Sequence, residues 1–327
     1  MYKLVKPFFM LCETPLHAGS GNDLGIIDLP IQRERHTGFP KIEASGLKGG
    51  IRQAFERSKK MELIVQTEIG EQSQLVTDEK EKVLDLLFGP DKGDEHAAAL
   101  GFTDARTLLF PVKSMKGVFA WVTCPNVLSR FIHDLKLCGL EPEFQLPKAY
   151  SAARGCQLFV NDNTNKVVLE EYTFEIEHRE DEQVSKLAEW LAEHAIPKGS
   201  EYDYLRKKIK KDILVLPDDE FRDFVQLSTE VVTRVRIDPV KGTVQKGALF
   251  TEEYLPAETV LYALALAAPL FIGEKDREKL KELKEKYFFR QEKSVMDAFL
   301  KNQPAVMQLG GNATIGKGIV RVVCCHE

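Results

Sequence analysis

Short apolar segments with the character of β-strands alternate with amphipathic helical segments along this chain of 327 residues. Leu4–Cys12, Phe102–Val112 and Val118–Thr123 are rich in β-branched and aromatic residues, which favours strands. A parallel crossover needs roughly a dozen residues or more, and the linker between the second and third segments is much shorter. The pattern therefore predicts an α+β sandwich rather than a doubly wound parallel sheet.

Apolar residues that recur at helical spacing predict several helices. One is expected over about 46–58 with Ser45 as its N-cap, and a second follows a Thr77 cap and ends at Gly89. The apolar run Glu258–Phe271 is also predicted to be helical. The remaining assignments are a helix from Pro125 to Gly139, a strand over 167–176, a helix around 184–191, a solvated helix over 274–286 and a closing strand over 319–324.

The segment after residue 200 carries two further predictions. Ser200–Asp223 is rich in charge and is interpreted as an insertion. Thr233–Ile237 and Gly247–Tyr254 flank a stretch that contains Pro239 and Gly242, both typical of a turn. This arrangement predicts a long β-hairpin.

Composition restricts the classes of protein that the chain can represent. Hydrophobic residues make up 43% and charged residues 29%, which is ordinary for a globular protein and excludes collagen-like and wholly disordered chains. The longest apolar stretch, Val260–Ile272, is shorter than the roughly 20 residues of a membrane span, and no export signal is visible at the amino end. A cytoplasmic location without a membrane partner is expected. The six cysteines show no C-x-x-C spacing and are expected to be reduced.

Charge is distributed unevenly although the formal net charge is only −5. Residues 31–60 contain eight basic and three acidic residues, whereas residues 61–100 contain ten acidic and three basic ones. Basic loops on an acidic body would suit an anionic polymer on one face and basic partners on another. Solvated charges without a partner are the alternative.

The segment from Gly311 to Lys317 matches G-x-x-x-x-G-K, the beginning of a nucleotide phosphate loop. Gly318 replaces the hydroxyl residue that would hold Mg²⁺, and a β-branched strand follows instead of a helix. Nucleotide hydrolysis is therefore not expected. Lys317 beside flexible backbone suits the phosphates of a polyanion, and the alternative is a glycine-rich turn packed on its own domain.

A long polar stretch from Glu13 to Glu43 shows little periodicity, and such loops are often functional. Arg33 and Arg35 are suited to phosphates, and Asp28 to a ribose hydroxyl or a metal, which together indicate chemistry on a phosphodiester. From the residues alone, Asp28 can equally cap backbone N–H groups in a turn. His17 and His36 can likewise be structural imidazoles.

This loop, the segment Ser45-Gly-Leu-Lys-Gly, the stretch from Gly101 to Ser114, Lys246-Gly-Ala-Leu-Phe and the closing Leu309–Gly318 together resemble a known family. The chain is similar over nearly its whole length to the RAMP backbone subunits of type III-B CRISPR effectors, the fourth subunit of the Cmr complex. The resemblance implies a modified ferredoxin-like, RRM-related α+β core in a single domain over 1–327. Insertions would lie at about 61–100 and 198–225, with a protruding thumb hairpin at about 232–254.

The resemblance also implies partners and an activity. Copies of such subunits stack along a guide CRISPR RNA as a helical filament with the other Cmr subunits, in antiviral defence. The thumb opens the duplex of guide and target RNA at regular intervals, and the subunit acts as an endoribonuclease on the target with Mg²⁺ or another divalent metal. A structural filament subunit without catalysis, or a relative that processes guide precursors, are the alternatives.

Site residues follow from the positions that match the family's motifs. Asp28 matches the aspartate needed for target cleavage, as base or metal ligand, and His17 is a second catalytic candidate. Lys48 is expected to contact the guide backbone. The further RNA contacts expected are Arg33, Arg35, His36, Arg52, Arg234, Arg236, Lys246 and Lys317.

Overall fold

Ten strands form one mixed sheet within residues 3–21, 25–67, 70–90, 96–271 and 277–325, the part of the chain that the computed structural model describes. The strands of this sheet are β1 (Leu4–Cys12), β2 (Lys41–Ile42), β5 (Leu100–Phe102), β6 (Ala105–Lys113), β7 (Phe119–Thr123), β8 (Ser151–Ala152), β11 (Ile213–Val215), β14 (Val260–Ala267), β15 (Val306–Gln308) and β16 (Ile319–Cys324). Their order in the sheet is β15-β16-β1-β14-β6-β7-β11-β8, with β2 on β6 and β5 on β14.

Three antiparallel hairpins stand outside this sheet, and the described residues also form eight α-helices. The hairpins are β3 (Met61–Thr67) with β4 (Gly70–Val76), β9 (Lys166–Leu169) with β10 (Tyr172–Glu175), and β12 (Glu230–Ile237) with β13 (Val244–Tyr254). The helices are α1 (Ala44–Arg57), α2 (Lys80–Phe88), α3 (Pro125–Leu137), α4 (Glu182–His194), α5 (Asp203–Ile209), α6 (Asp218–Leu227), α7 (Arg277–Lys286) and α8 (Glu292–Asn302).

Helices cover both faces of the sheet, as alternation along β1 requires. Phe8 lies on one face, with its ring centroid 5.7 Å from that of Phe299 on α8. Phe9 points to the opposite face, 6.0 Å from Phe131 on α3 and 5.9 Å from Trp190 on α4. The aromatic rings thus form two cores, one on each side of a single sheet.

The prediction of a helix over Glu258–Phe271 was wrong, because this run contains the strand β14. β14 lies between β1 and β6, and all but one of its residues are buried. A strand covered on both faces carries an apolar run without alternation, which periodicity does not distinguish from a buried helix. Three Leu and three Ala residues in β14 also favoured the helical interpretation.

Two predicted helix caps were also wrong. The N-cap of α1 is Glu43, which makes no side-chain cap bond, and the Ala44 N–H instead donates to Asp104 Oδ1 at 2.8 Å. Helix α2 begins at Lys80, and the Thr77 hydroxyl donates to the neighbouring Asp78 carboxylate instead of capping the helix. The cap of α1 is therefore supplied from a distant loop.

Other assignments were confirmed or refined. β1, α3, α4 and β16 lie at or close to the predicted positions, and the long hairpin is β12–β13. The predicted strand over 167–176 is a hairpin, β9–β10, and the charged segment after residue 200 contributes β11 to the main sheet. Part of the helix expected over 274–286 lies outside the described residues, which include α7. All six cysteines are free thiols.

The described part of the chain contains no helix that is long and apolar enough to span a membrane. The hairpin β12–β13 carries exposed apolar side chains, including Val235 at 49% and Leu249 at 63% exposure, which lie opposite each other in its register. Exposed apolar groups of this kind are typical of a surface that contacts a partner.

We expect Phe131→Ala to lower the free energy of unfolding by about 3–5 kcal/mol, because truncation of a buried Phe removes apolar burial and leaves a cavity. Leu137→Ala on the same helix is the control, since Leu137 is 59% exposed and a surface change stays within about 0.5 kcal/mol. Urea denaturation followed by circular dichroism measures both. Equal losses for the two variants would contradict the assignment of this core.

Candidate active site

The long loop that follows β1 is ordered by pairing with the root of the hairpin. Leu29 N–H donates to Thr251 O and Glu253 N–H donates to Leu29 O, both at 3.0 Å. Leu16 and Leu255 exchange backbone hydrogen bonds at 2.9 and 2.8 Å. The described residues of this loop thus form a strap, residues 13–21 and 25–43, that lies along β13.

Asp28 lies on this strap and is exposed to solvent. Its Oδ2 accepts the Thr251 N–H at 2.7 Å and the Thr251 hydroxyl at 2.9 Å. These two hydrogen bonds, the backbone one foremost, lower the pKa of the Asp28 carboxyl below its ordinary value. Asp28 is therefore an ionised carboxylate at an accessible position beside the hairpin.

Glu253 on β13 is only 2% exposed, and its side chain binds the strap. Its carboxylate accepts hydrogen bonds from Arg33 Nη2 at 2.5 Å, the Thr229 hydroxyl at 2.8 Å and the Ile31 N–H at 3.0 Å. One buried acid thus holds the two strap residues Ile31 and Arg33, which follow Asp28.

Glu252, 5% exposed, points to the other side of β13. It accepts hydrogen bonds from Tyr254 and Asn312, both at 2.5 Å, and from Arg234 Nε at 3.2 Å. Burial acts to raise the pKa of Glu252, but these hydrogen bonds and nearby cations outweigh it, and the net shift is downward. Glu252 is therefore a buried anion that joins the hairpin to the glycine-rich segment near the carboxyl end.

His17 lies on the strap itself, and its side chain is buried. Its Nδ1 lies 2.7 Å from Glu253 O, so Nδ1 carries the proton and donates it, and Nε2 lies 3.7 Å from Glu252 Oε1. Gly311 N–H donates to His17 O at 2.9 Å. His17 thus binds the hairpin root through its ring and the glycine-rich segment through its backbone.

The glycine-rich segment packs on the strap rather than forming an open cradle. A Cβ on Gly310 would lie 2.2 Å from His17 O, and one on Gly318 would lie 2.0 Å from Leu309 O. Both residues also have positive φ, which L-residues with side chains rarely adopt. Backbone carbonyls approach both positions so closely that only glycine fits there. Nearby, Lys317 Nζ lies 4.8 Å from the centroid of the Tyr254 ring.

Three of the arginines expected to bind RNA have partners within the protein. Arg33 binds Glu253 and also donates to Gly38 O and Val225 O, both at 2.9 Å. Arg52 joins α1 to α2 through Asp85 and Gly89 O and also pairs with Glu56. Arg234 is bound by Glu252 and Tyr254. The guanidinium groups of Arg33 and Arg234 thus bind the buried acids of the hairpin, whereas that of Arg52 joins two helices.

The other residues expected to contact RNA differ in exposure. Arg35 and Arg236 are exposed and have no hydrogen-bond or ion-pair partner in the described part of the chain, and the exposed His36 lies 4.0 Å from Glu34. Lys48 is half-buried, and burial together with the nearby Arg52 lowers its pKa. The side chain of Lys246 lies outside the described residues.

The donor set for a metal is small. Within the described residues, no group of three or more His, Cys, Asp or Glu side chains could hold a metal ion. Asp28 supplies one carboxylate, with Oδ2 already bound to Thr251. One carboxylate fits Mg²⁺, which commonly keeps several waters and takes its remaining ligands from substrate phosphates.

Sequence reasoning did not identify the residues that support Asp28. They are Thr251, Glu252, Glu253, Tyr254 and Asn312. The available signal was the pair of adjacent acids at the end of the predicted hairpin, because one of two neighbouring strand residues must face inward.

The comparisons with known proteins agree with this architecture. The model of the RAMP superfamily matches residues 10–321. The CRISPR system Cmr endoribonuclease Cmr4 of Pyrococcus furiosus is 38% identical over 312 residues, covering 94% of this chain and 92% of that protein. The crystal structure of oligomeric Cmr4 from Pyrococcus furiosus has a TM-score of 0.64 at 30% identity, with 98% of each chain covered.

A cryo-EM structure of the type III-B Cmr-beta complex bound to cognate target RNA contains a chain that shares the fold, with a TM-score of 0.65 at 23% identity, covering 99% of this chain and 98% of that one. The chain described here therefore belongs to the RAMP superfamily and, within it, to the family of Cmr4 subunits of CRISPR Cmr systems.

We expect Glu253→Ala to lower the free energy of unfolding by about 3–5 kcal/mol, since it leaves the largely buried Arg33 without its carboxylate. Most of the loss should persist in high salt, because a buried pair is screened much less than a surface pair. Urea denaturation at two salt concentrations measures this. Glu175→Ala, at an exposed position of β10, is the control, and a loss no larger than that of the control would contradict the role of Glu253.

Proposed function

We propose that this chain is the guide-RNA-binding backbone subunit of a type III-B CRISPR effector and cleaves complementary target RNA at regular intervals with a divalent metal. The observation that carries the proposal is the exposed, ionised Asp28 beside an exposed hairpin, in a member of the Cmr4 family. The activity named for the 38% identical relative supports it. The partners would be guide RNA, target RNA, further copies of the chain in a filament and other Cmr subunits, in the cytoplasm.

The strand order supports a ferredoxin-like interpretation of the core. β16-β1-β14-β6 are neighbours in that order and pair antiparallel throughout. With α1 after β1 and α8 between β14 and β16, they form a β-α-β-β-α-β succession in which the segments between α1 and β6 and between β6 and β14 are insertions. We interpret the chain as one domain of this type, with additions at about 61–100 and 198–225 and β12–β13 as the thumb.

In the proposed reaction the hairpin displaces one target nucleotide, so that its ribose 2′-hydroxyl lies in line with the 5′-oxygen leaving group. The 2′-hydroxyl gives its proton to solvent as the 2′-oxygen forms a bond to phosphorus, and the departing 5′-oxygen takes up a proton from solvent as its bond to phosphorus breaks. The products are a 2′,3′-cyclic phosphate and a 5′-hydroxyl. The lowered pKa makes Asp28 a weak proton acceptor, which favours its role as a metal ligand over that of a general base. A bound divalent metal would neutralise charge that develops on the phosphate.

Exposed cations supply the proposed RNA path. Arg35 and Arg236 are exposed and available for phosphates, Lys48 is half-buried, and Lys317 lies above Tyr254 near the strap. Guide pairing carries sequence selection, so the protein needs backbone contacts and not a base-reading pocket. Arg33 and Arg234 are assigned a supporting role through the buried acids that they bind.

A structural filament subunit without catalysis is the second candidate. It is favoured by the internal pairing of Arg33, Arg234, Glu252 and Glu253, which shows that many charges around the site are used to build it. It shares every proposed RNA contact and differs only in the role of Asp28.

We expect Asp28→Asn to abolish cleavage in a complex assembled with guide RNA, because the neutral amide binds a divalent metal poorly. End-labelled complementary RNA should give evenly spaced products with the parent protein and Mg²⁺, and none with the variant or with EDTA. Asp219→Asn, an exposed carboxylate on α6, is the control and should cleave normally. Cleavage by Asp28→Asn would favour the structural alternative.

We expect Lys48→Ala to weaken guide binding and to leave the cleavage rate of bound target unchanged. Loss of one phosphate contact should reduce the slope of log K against log salt by about 0.7. Filter binding at several salt concentrations measures the slope. Lys136→Ala, on α3 at the opposite face of the sheet, is the control, and an unchanged slope for Lys48→Ala would exclude this contact.

A further inference from the structure

Thr251 lies on β13 next to the carboxylate on which the proposed cleavage depends. Its N–H and its hydroxyl both donate to Asp28 Oδ2, at 2.7 and 2.9 Å. The same hydroxyl accepts the Asp28 N–H at 3.0 Å. A single residue therefore fixes both the side chain and the backbone of Asp28.

These contacts differentiate the two oxygens of the carboxylate. Oδ2 receives both donors, whereas Oδ1 has no hydrogen-bond partner among the residues that the structure describes. Since one oxygen is held by two donors, the rotation of the carboxylate is restricted and Oδ1 presents a fixed direction to solvent. Restricting a reacting group in this way is a substantial part of catalysis by positioning.

Thr251 also belongs to the hairpin itself. β13 continues from Thr251 toward the exposed Leu249 and the hairpin turn, while Thr251 O accepts the Leu29 N–H at 3.0 Å. Three polar groups of one residue, its N–H, its hydroxyl and its carbonyl, thus connect the hairpin strand to residues 28 and 29 of the strap. A movement of the hairpin at this point would displace Asp28 with it.

We propose that Thr251 is a positioning residue, which directs Asp28 Oδ1 toward the target RNA. Through Thr251, the position of the hairpin on the RNA would also determine the position of the carboxylate in the cleavage step. The inference rests on the proposed function. Thr251 itself makes no bond to the reacting atoms. Its effect reaches the reaction through the direction of the Asp28 carboxylate.

The test compares Thr251→Val with Thr251→Ser in the assembled complex with guide RNA. Valine has the shape of threonine but lacks the hydroxyl, so it removes two of the three contacts to Asp28, whereas serine keeps all of them. We expect Thr251→Val to lower the single-turnover cleavage rate about 10- to 100-fold, the scale of a misplaced reacting group, and Thr251→Ser to retain it within about threefold. Affinity for target RNA should stay unchanged in both.

The chain offers a matched control at Thr233, which lies directly opposite Thr251 in the hairpin register. Thr233→Val makes the same chemical change in the same hairpin and should leave the cleavage rate intact. Thr251→Ala provides a smaller replacement in case valine disturbs the strand.

The outcomes separate this inference from the proposed function. Cleavage at the parent rate by Thr251→Val and Thr251→Ala, with Asp28→Asn inactive, would overturn the positioning role and leave the proposed function intact. A proportional loss of target affinity and rate would also overturn it, because that indicates a structural defect of the hairpin. Cleavage by Asp28→Asn would instead refute the catalytic assignment from which the inference starts.

Discussion

Two adjacent buried carboxylates at the end of β13 hold the site together. Glu252 and Glu253 point to opposite sides of the strand, and each is satisfied by several donors. Burial of an unpaired carboxylate costs several kcal/mol, so displacement of the elements that supply these donors would destabilise the fold. One side requires the strap through Arg33, and the other requires the glycine-rich segment through Asn312. Hairpin, strap and carboxyl-terminal loop consequently form one unit, although they are distant in sequence.

Local patterns were sufficient for elements whose structure depends on nearby residues. The turn with Pro239 and Gly242 defined the hairpin, and Pro125 and the spacing of apolar residues defined α3. Where the environment decided, the sequence was ambiguous. β14 is a strand because β1 and β6 flank it and helices cover it, and its apolar run does not indicate those neighbours. The cap of α1 likewise comes from Asp104, which local spacing does not reveal.

In the candidate site, too, some features follow from local sequence and others depend on distant residues. Asp28 was recognised through the resemblance of its motif, and its position beside the hairpin depends on Thr251, more than two hundred residues away. Asp28 accepts a backbone N–H, but from the distant strand β13 and not within a turn, and its carboxylate remains accessible, so its catalytic role stays a prediction. For the cations, sequence gives charge but not availability: Arg33 and Arg35 are two residues apart, yet one is bound to Glu253 and the other is exposed. Which of them can meet a phosphate is decided by long-range partners.

The electrostatics of Asp28 constrain how the proposed reaction obtains its rate. A carboxylate with two hydrogen bonds and a lowered pKa gives little driving force for removal of a proton from a ribose hydroxyl. Its exposure also keeps it in a high-dielectric environment, where direct charge stabilisation is weak. The larger contribution must then come from alignment, which can supply roughly 7–11 kcal/mol when nucleophile and leaving group are held in line. A rigid hairpin root is what such a mechanism needs, and the pairing of strap with β13 provides it.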